Sequence, residues 1–242
     1  MPSTIRIGNV AVHDYAGVAT SALDLHATRI GCTVANYQMR LPGYFPERPI
    51  NAYIVPDNIY KEWFTPEGDH FKPPECRPVR VIPPACYGIV DDRMKFPASL
   101  LMRLTIEPWE VESISHEVLH AGSRQISRED IRCGIAFCDI FGKTDSSDRS
   151  LNEGLTEHLR MSLGGAVVEN RYYPVAMAIG EIAKRVGEDT VLSAYFHGEI
   201  DPFIAAVERA FGPGSYTTIN GLSHSVMEGK VDAAKLWEVL RR

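Results

Sequence analysis

Two histidines four residues apart, with a glutamate directly after the first, stand in SISHEVLHAG at residues 113–122. At helical spacing His116 and His120 lie one turn apart on one face, so two imidazoles can converge on a single ion. In this HExxH order Glu117 falls beside the ion rather than on it, where its carboxylate can take a proton from a bound water. The alternative is a solvated helix face that carries these residues by coincidence. A third ligand decides the matter, because two histidines leave a catalytic zinc site one protein ligand short.

The segment SLNEGLTEHLR, residues 150–160, offers that ligand. Ser147, Asp148 or Ser150 is placed to cap a helix in which Glu153 and Glu157 lie one turn apart and point the same way. Asn-Glu-x-x-x-Glu after HExxH resembles the gluzincin metallopeptidases, the thermolysin-like and one-zinc aminopeptidase families. The resemblance implies that Glu153 completes the zinc ligands with His116 and His120. It also implies that Glu157, with Asn152 beside the ligand, supports the site from outside it, Glu157 through the spare nitrogen of His116 or His120.

One departure from the family pattern is the 32 residues between His120 and Glu153, a longer stretch than in the best-known members, which predicts an extra excursion of the chain. The metzincin pattern is excluded, because its third histidine would fall at position 126, which is Ile126. GGAVVEN, residues 164–170, has the composition of an aminopeptidase amine-binding motif but follows the histidines instead of preceding them, which favours an endopeptidase.

Such a hydrolase adds a donor for the oxyanion, and Tyr172, Tyr173, Tyr195 and His224 are the candidates. Tyr172 and Tyr173 open a helix after the ligand helix, and Tyr195 in SAYFHG suits a packed core. His224 falls in NGLSHSV, which reads as a glycine- and serine-bounded loop. His13, His26, His70, His158 and His197 read as surface or satisfied polar positions, with His158 turned away from the metal face. LMRLTI, residues 101–106, is the natural strand to lie in a sheet whose edge binds an extended substrate.

The elements that must position these residues change in character near residue 110. Before it, β-prone runs at Ile5 to Val12, Asn51 to Val55, Pro78 to Ile82 and Leu101 to Ile106 alternate with turns, and one helix from about Tyr15 to Ile30 stops at Gly31. After it, helices are predicted at 108–122, 151–163, 173–186, 188–197, 202–211 and 231–241, with Gly122, Gly187, Gly198 and Gly212 as stops. The expected fold is α+β and zincin-like. It is a single catalytic domain with an N-terminal lobe of about 1–123, holding a small twisted sheet and the active helix, and a mainly helical lobe of about 124–242, the two sharing one cleft.

Composition bounds the function. The chain's 242 residues are 45% hydrophobic and 23% charged with net charge −6, which suits a globular core and gives no basic footprint for nucleic acid or an anionic membrane. The opening residues have no basic segment leading into an apolar one, and no long apolar run occurs, so a cytoplasmic protein, or one exported without a cleaved signal, is expected. Five scattered cysteines, Cys32, Cys76, Cys86, Cys133 and Cys138, read as reduced, with Cys133 and Cys138 as buried small apolar residues. Together these readings predict a zinc peptidase acting on a peptide or protein substrate, an endopeptidase of narrow range such as a toxin or effector. Its rival is a catalytically silent zinc-containing module that binds peptides or proteins. The intact Glu117 favours the enzyme. Oligomeric state has no signature in the sequence.

Overall fold

In the computed structural model, residues 3–54, 56, 85–88, 99–102, 111–126, 130–139 and 148–241 are described. The protein is α+β. Its chain forms two compact units, Met1–Asn36 with Glu47–Val118, and Tyr37–Pro46 with Leu119–Arg242.

In the first unit, β1 (Ser3–Ile7) and β2 (Val10–Asp14) form an antiparallel hairpin where a single strand is predicted. Gly8 makes the reversal possible with φ of 57°, in the left-handed region that a side chain disfavours. Helix α1 (Thr20–Arg40) then crosses to β3 (Ile50–Ile54), which pairs parallel with β2 as such a crossover permits. Strands β4 (Ala85–Gly88) and β5 (Ser99–Met102) complete a five-stranded sheet of order β1-β2-β3-β5-β4. Burial of Val10, Ala11, Val12, Ala52 and Ile54 on both faces marks the two strands as central.

Helix α1 does not stop at Gly31. Its buried stripe of Leu23, Ala27, Ile30 and Val34 continues through that position. A Cβ on Gly31 would lie 2.8 Å from Ile7 Cγ2, so the glycine serves close packing against β1 rather than termination. Of the LMRLTI stretch, Leu101 and Met102 lie inside the sheet in β5, between β3 and β4, residues 103–106 lie outside the described residues, and among the described strands β1 and β4 are the edges. Pro78 to Ile82 lies outside the described residues.

Helix α2 (Val111–Ser123) carries the HEVLH motif and runs past Gly122, whose missing Cβ makes room for the Phe45 ring. It leads directly into β6 (Arg124–Ile126), followed by β7 (Asp130–Cys133) and β8 (Ala136–Asp139) in an antiparallel three-stranded sheet. That sheet is the unexpected part of the excursion between the motifs. The remainder is helical: α3 (Arg149–Ser162), α4 (Tyr173–Val186), α5 (Glu188–His197), α6 (Ile200–Phe211), α7 (Ser215–Met227) and α8 (Ala234–Leu240). Helix α7 replaces the loop predicted around His224.

The second unit's core gathers Leu151, Leu155 and Leu159 of α3 with Val175, Ile179 and Ile182 of α4, each at most 2% exposed. Burying each such side chain contributes roughly 1.5–3 kcal/mol, so this α3–α4 contact fixes where α3 presents its other face. Among the described residues, no helix is long and apolar enough to cross a membrane.

Candidate metal centre

Helix α2 buries Ile114, Val118 and Leu119 almost completely, and this apolar stripe turns His116 and His120 inward, each 5% exposed. Glu117, half-buried, follows on the adjoining face. Helix α3 meets this face with Glu153, whose Oε2 lies 3.5 Å from His120 Nε2. One ligand atom from each of His116, His120 and Glu153 lies within 4.8 Å of the others.

That geometry suits a metal ion. Two ligands at about 2.0–2.1 Å from a tetrahedral zinc are separated by roughly 3.3 Å, close to the His120–Glu153 distance. Burial is the largest influence on His120 and opposes its charge, yet Tyr195, Cys133, Glu153 and the hydrogen bond with Cys133 together raise its pKa well above the usual value.

The support of His120 differs from expectation. Its Nδ1 lies 3.5 Å from Cys133 Sγ, so the sulfur stands at the spare nitrogen where Glu157 was a candidate. Cys133 is a free buried cysteine, as the sequence suggests, but it touches His120 instead of merely filling space. Glu157, 1% exposed, is clamped by Arg160: Nε donates to Oε2 and Nη2 to Oε1, both at 2.9 Å. Asn170 Nδ2 donates to Oε1 at 3.2 Å, and Arg160 Nη2 also donates to the Ala166 carbonyl. The carboxylate thus ties α3 to GGAVVEN, which here is the loop joining α3 to α4.

Asn152 faces the β7–β8 turn, where its Oδ1 accepts the Ile135 N–H at 2.9 Å. The Thr156 hydroxyl donates to the Asn152 carbonyl, leaving the Tyr195 phenol to donate to Thr156 at 2.8 Å. Tyr195 is wholly buried, and burial raises its phenol well above the ordinary value, so it belongs to the core as expected. Asp148 occupies the N-cap of α3 without a side-chain cap bond, and its Oδ1 instead accepts from Tyr216 and Asn220 of α7.

Among the oxyanion candidates, Tyr172 has a neighbour the sequence reading overlooked. Arg171 Nη2 donates to the Tyr172 hydroxyl at 2.6 Å, and the Glu153 carboxylate is near enough to help raise the Arg171 pKa against burial. Asn170 Oδ1 accepts the N–H groups of both Tyr172 and Tyr173, which fixes the start of α4. His224 lies on α7, its Nδ1 3.2 Å from Ser150 Oγ and its Nε2 3.4 Å from Glu228 Oε2. His158 packs at Gly180 of α4, 3.2 Å from where a Cβ there would sit. The chain matches no family model and no curated protein.

Proposed function

We propose that this protein is a zinc-dependent peptidase of the gluzincin type, an endopeptidase with a zincin-like fold. The observation that carries the reading is the meeting of His116, His120 and Glu153, whose candidate ligand atoms two separate helices bring within 4.8 Å of one another. In this reading the two imidazoles and the Glu153 carboxylate hold zinc, which when bound supplies Lewis acidity toward a carbonyl and toward water. Glu117 takes the proton from the attacking water and returns it to the departing amine, so atoms and protons balance across the cleaved bond. Tyr172 donates its hydroxyl proton to the developing oxyanion. Arg171 strengthens that donor, because a guanidinium N–H on the phenol oxygen polarises the O–H bond. An extended peptide would add to the sheet along β4, one of its two edge strands among the described residues.

The test is zinc-loaded protein on a mixed peptide library, with and without chelator, beside Glu117→Gln. Cleavage by the parent is expected, lost with chelator and restored by zinc. Glu117→Gln retains about one zinc per chain and cleaves at least about 100-fold more slowly. A parent protein that holds zinc yet cleaves nothing would make the site a peptide-capture module, and one that holds no zinc would end both readings.

A further inference from the structure

The geometry points to Cys133 as a positioning residue that holds His120 for the metal, an inference resting on the zinc reading above but readable without it. Helix α2 ends at Ser123, so the carbonyl of His120 lies in its last turn. Two side chains donate to it. Ser123 Oγ donates to the His120 carbonyl at 3.1 Å and Cys133 Sγ donates to it at 3.2 Å. The same sulfur lies 3.5 Å from His120 Nδ1. With its S–H directed at the carbonyl, the thiol is left to accept from Nδ1–H. One residue then grips both the ring and the backbone of His120, which leaves Nε2 as the nitrogen turned toward Glu153.

Backbone pairing explains how a residue 13 positions away reaches the helix end. Strand β6 begins immediately after α2, and its first residue, Arg124, pairs with Cys133 in the β6–β7 ladder. Any chain that follows α2 with this hairpin sets position 133 beside the last helical turn. Sulfur, with its longer bonds and low polarity, suits a site where Cys133 is only 8% exposed and the histidine is buried. A carboxylate in that place would add a charge to a buried ligand, whereas a thiol orients the ring without one.

The experiment compares Cys133→Ser, Cys133→Ala and Cys133→Val with the parent. Zinc affinity is measured by chelator competition, and exchange of the His120 Nδ1 proton by NMR in metal-free and zinc-loaded protein. In the parent that proton is expected to exchange slowly in both forms. Ala and Val, which cannot accept the bond, are expected to lose the slow exchange and to bind zinc about 10- to 100-fold more weakly. Ser, which retains a donor and an acceptor, is expected to recover most of the affinity. Equal loss in Ser and Val would assign Cys133 to packing alone and overturn the inference, as would parent-like affinity in both Ala and Val. Should the parent bind no zinc, the peptidase reading fails while the metal-free exchange comparison still judges the Cys133 bond. Because Ser and Val are compared with each other, a failure of Ala to fold leaves the test intact.

Discussion

Removing one member of the Glu157–Arg160 pair should unfold this protein far more readily than removing both. The two residues are each 1% exposed, and the guanidinium meets the carboxylate through two hydrogen bonds of 2.9 Å. Glu157→Ala strips that carboxylate from a buried arginine, which costs about 3–5 kcal/mol. With total stability typically about 5–15 kcal/mol and roughly 2–4 °C of Tm per kcal/mol at this chain length, the metal-free protein should lose about 6–20 °C. Glu157→Leu with Arg160→Met replaces the pair by apolar groups and should recover most of the loss, since the desolvation cost of both ions is removed together. Glu153→Ala supplies the contrast: its carboxylate is 21% exposed, so metal-free Tm should move by only a few °C while tight zinc binding disappears. The assay is thermal unfolding by circular dichroism in chelator, with zinc affinity measured separately. A Glu157→Ala variant melting within about 2 °C of the parent, or a double variant no better than the single one, would refute the argument that this pair is a buried, mutually dependent unit.

Three further outcomes follow from the same geometry. Tyr172→Phe should keep zinc and lower kcat by about 100- to 1,000-fold, as loss of an oxyanion donor does, while Tyr173→Phe leaves kcat near the parent; equal effects in both would dissociate the Arg171–Tyr172 pair from the chemistry. Gly134→Ala should cost about 2–5 kcal/mol in urea unfolding, because φ is 62° there and a Cβ would collide with Asn152 Oδ1 and lie 2.6 Å from Tyr195; an unchanged midpoint would contradict the turn's close seating. His26 titrates below the usual 6.5 because of burial and then Arg29, so below about pH 6.5 the unfolded chain takes up a proton that the folded chain resists. Its contribution is therefore present above pH 6.5 and lost as pH falls toward the folded value. His26→Leu should flatten the acid-side decline in stability by up to about 1.4 kcal/mol per pH unit, and a parallel decline in both proteins would exclude it.

Much of the helical part was legible because it is punctuated. Gly187 and Gly198 bound α4 and α5 as read from the sequence, and the structure adds Pro174 in the first turn of α4. Helix α7 was illegible for the opposite reason: its serines and Gly221 imitate a loop. In the structure Thr218, Ser223 and Ser225 donate to carbonyls four residues back, so the hydroxyls that suggest a turn are satisfied within a helix. Gly31 misled in the same way, because its purpose is contact with Ile7, and nothing local to residue 31 announces that contact. Strands of three or four residues such as β6, β7 and β8 are too short for alternation to register.

The same division runs through the candidate site. His116 and His120 are related by one helical turn, a local spacing, and the order Asn152, Glu153 is a local pattern too. What Asn152 does is not local. Its Oδ1 receives the Ile135 N–H from the turn that also carries Cys133 to His120. One turn, Cys133 to Ile135, therefore touches His120 and the residue adjoining Glu153. The stretch between the two motifs has a structural use: its turn packs against both His120 and the Glu153-bearing end of α3. That turn sits close because Gly134 presents no side chain to Asn152 or Tyr195. The hairpin thereby contacts both helices where His120 Nε2 and Glu153 Oε2 lie 3.5 Å apart, through Cys133 at His120 and Ile135 at Asn152.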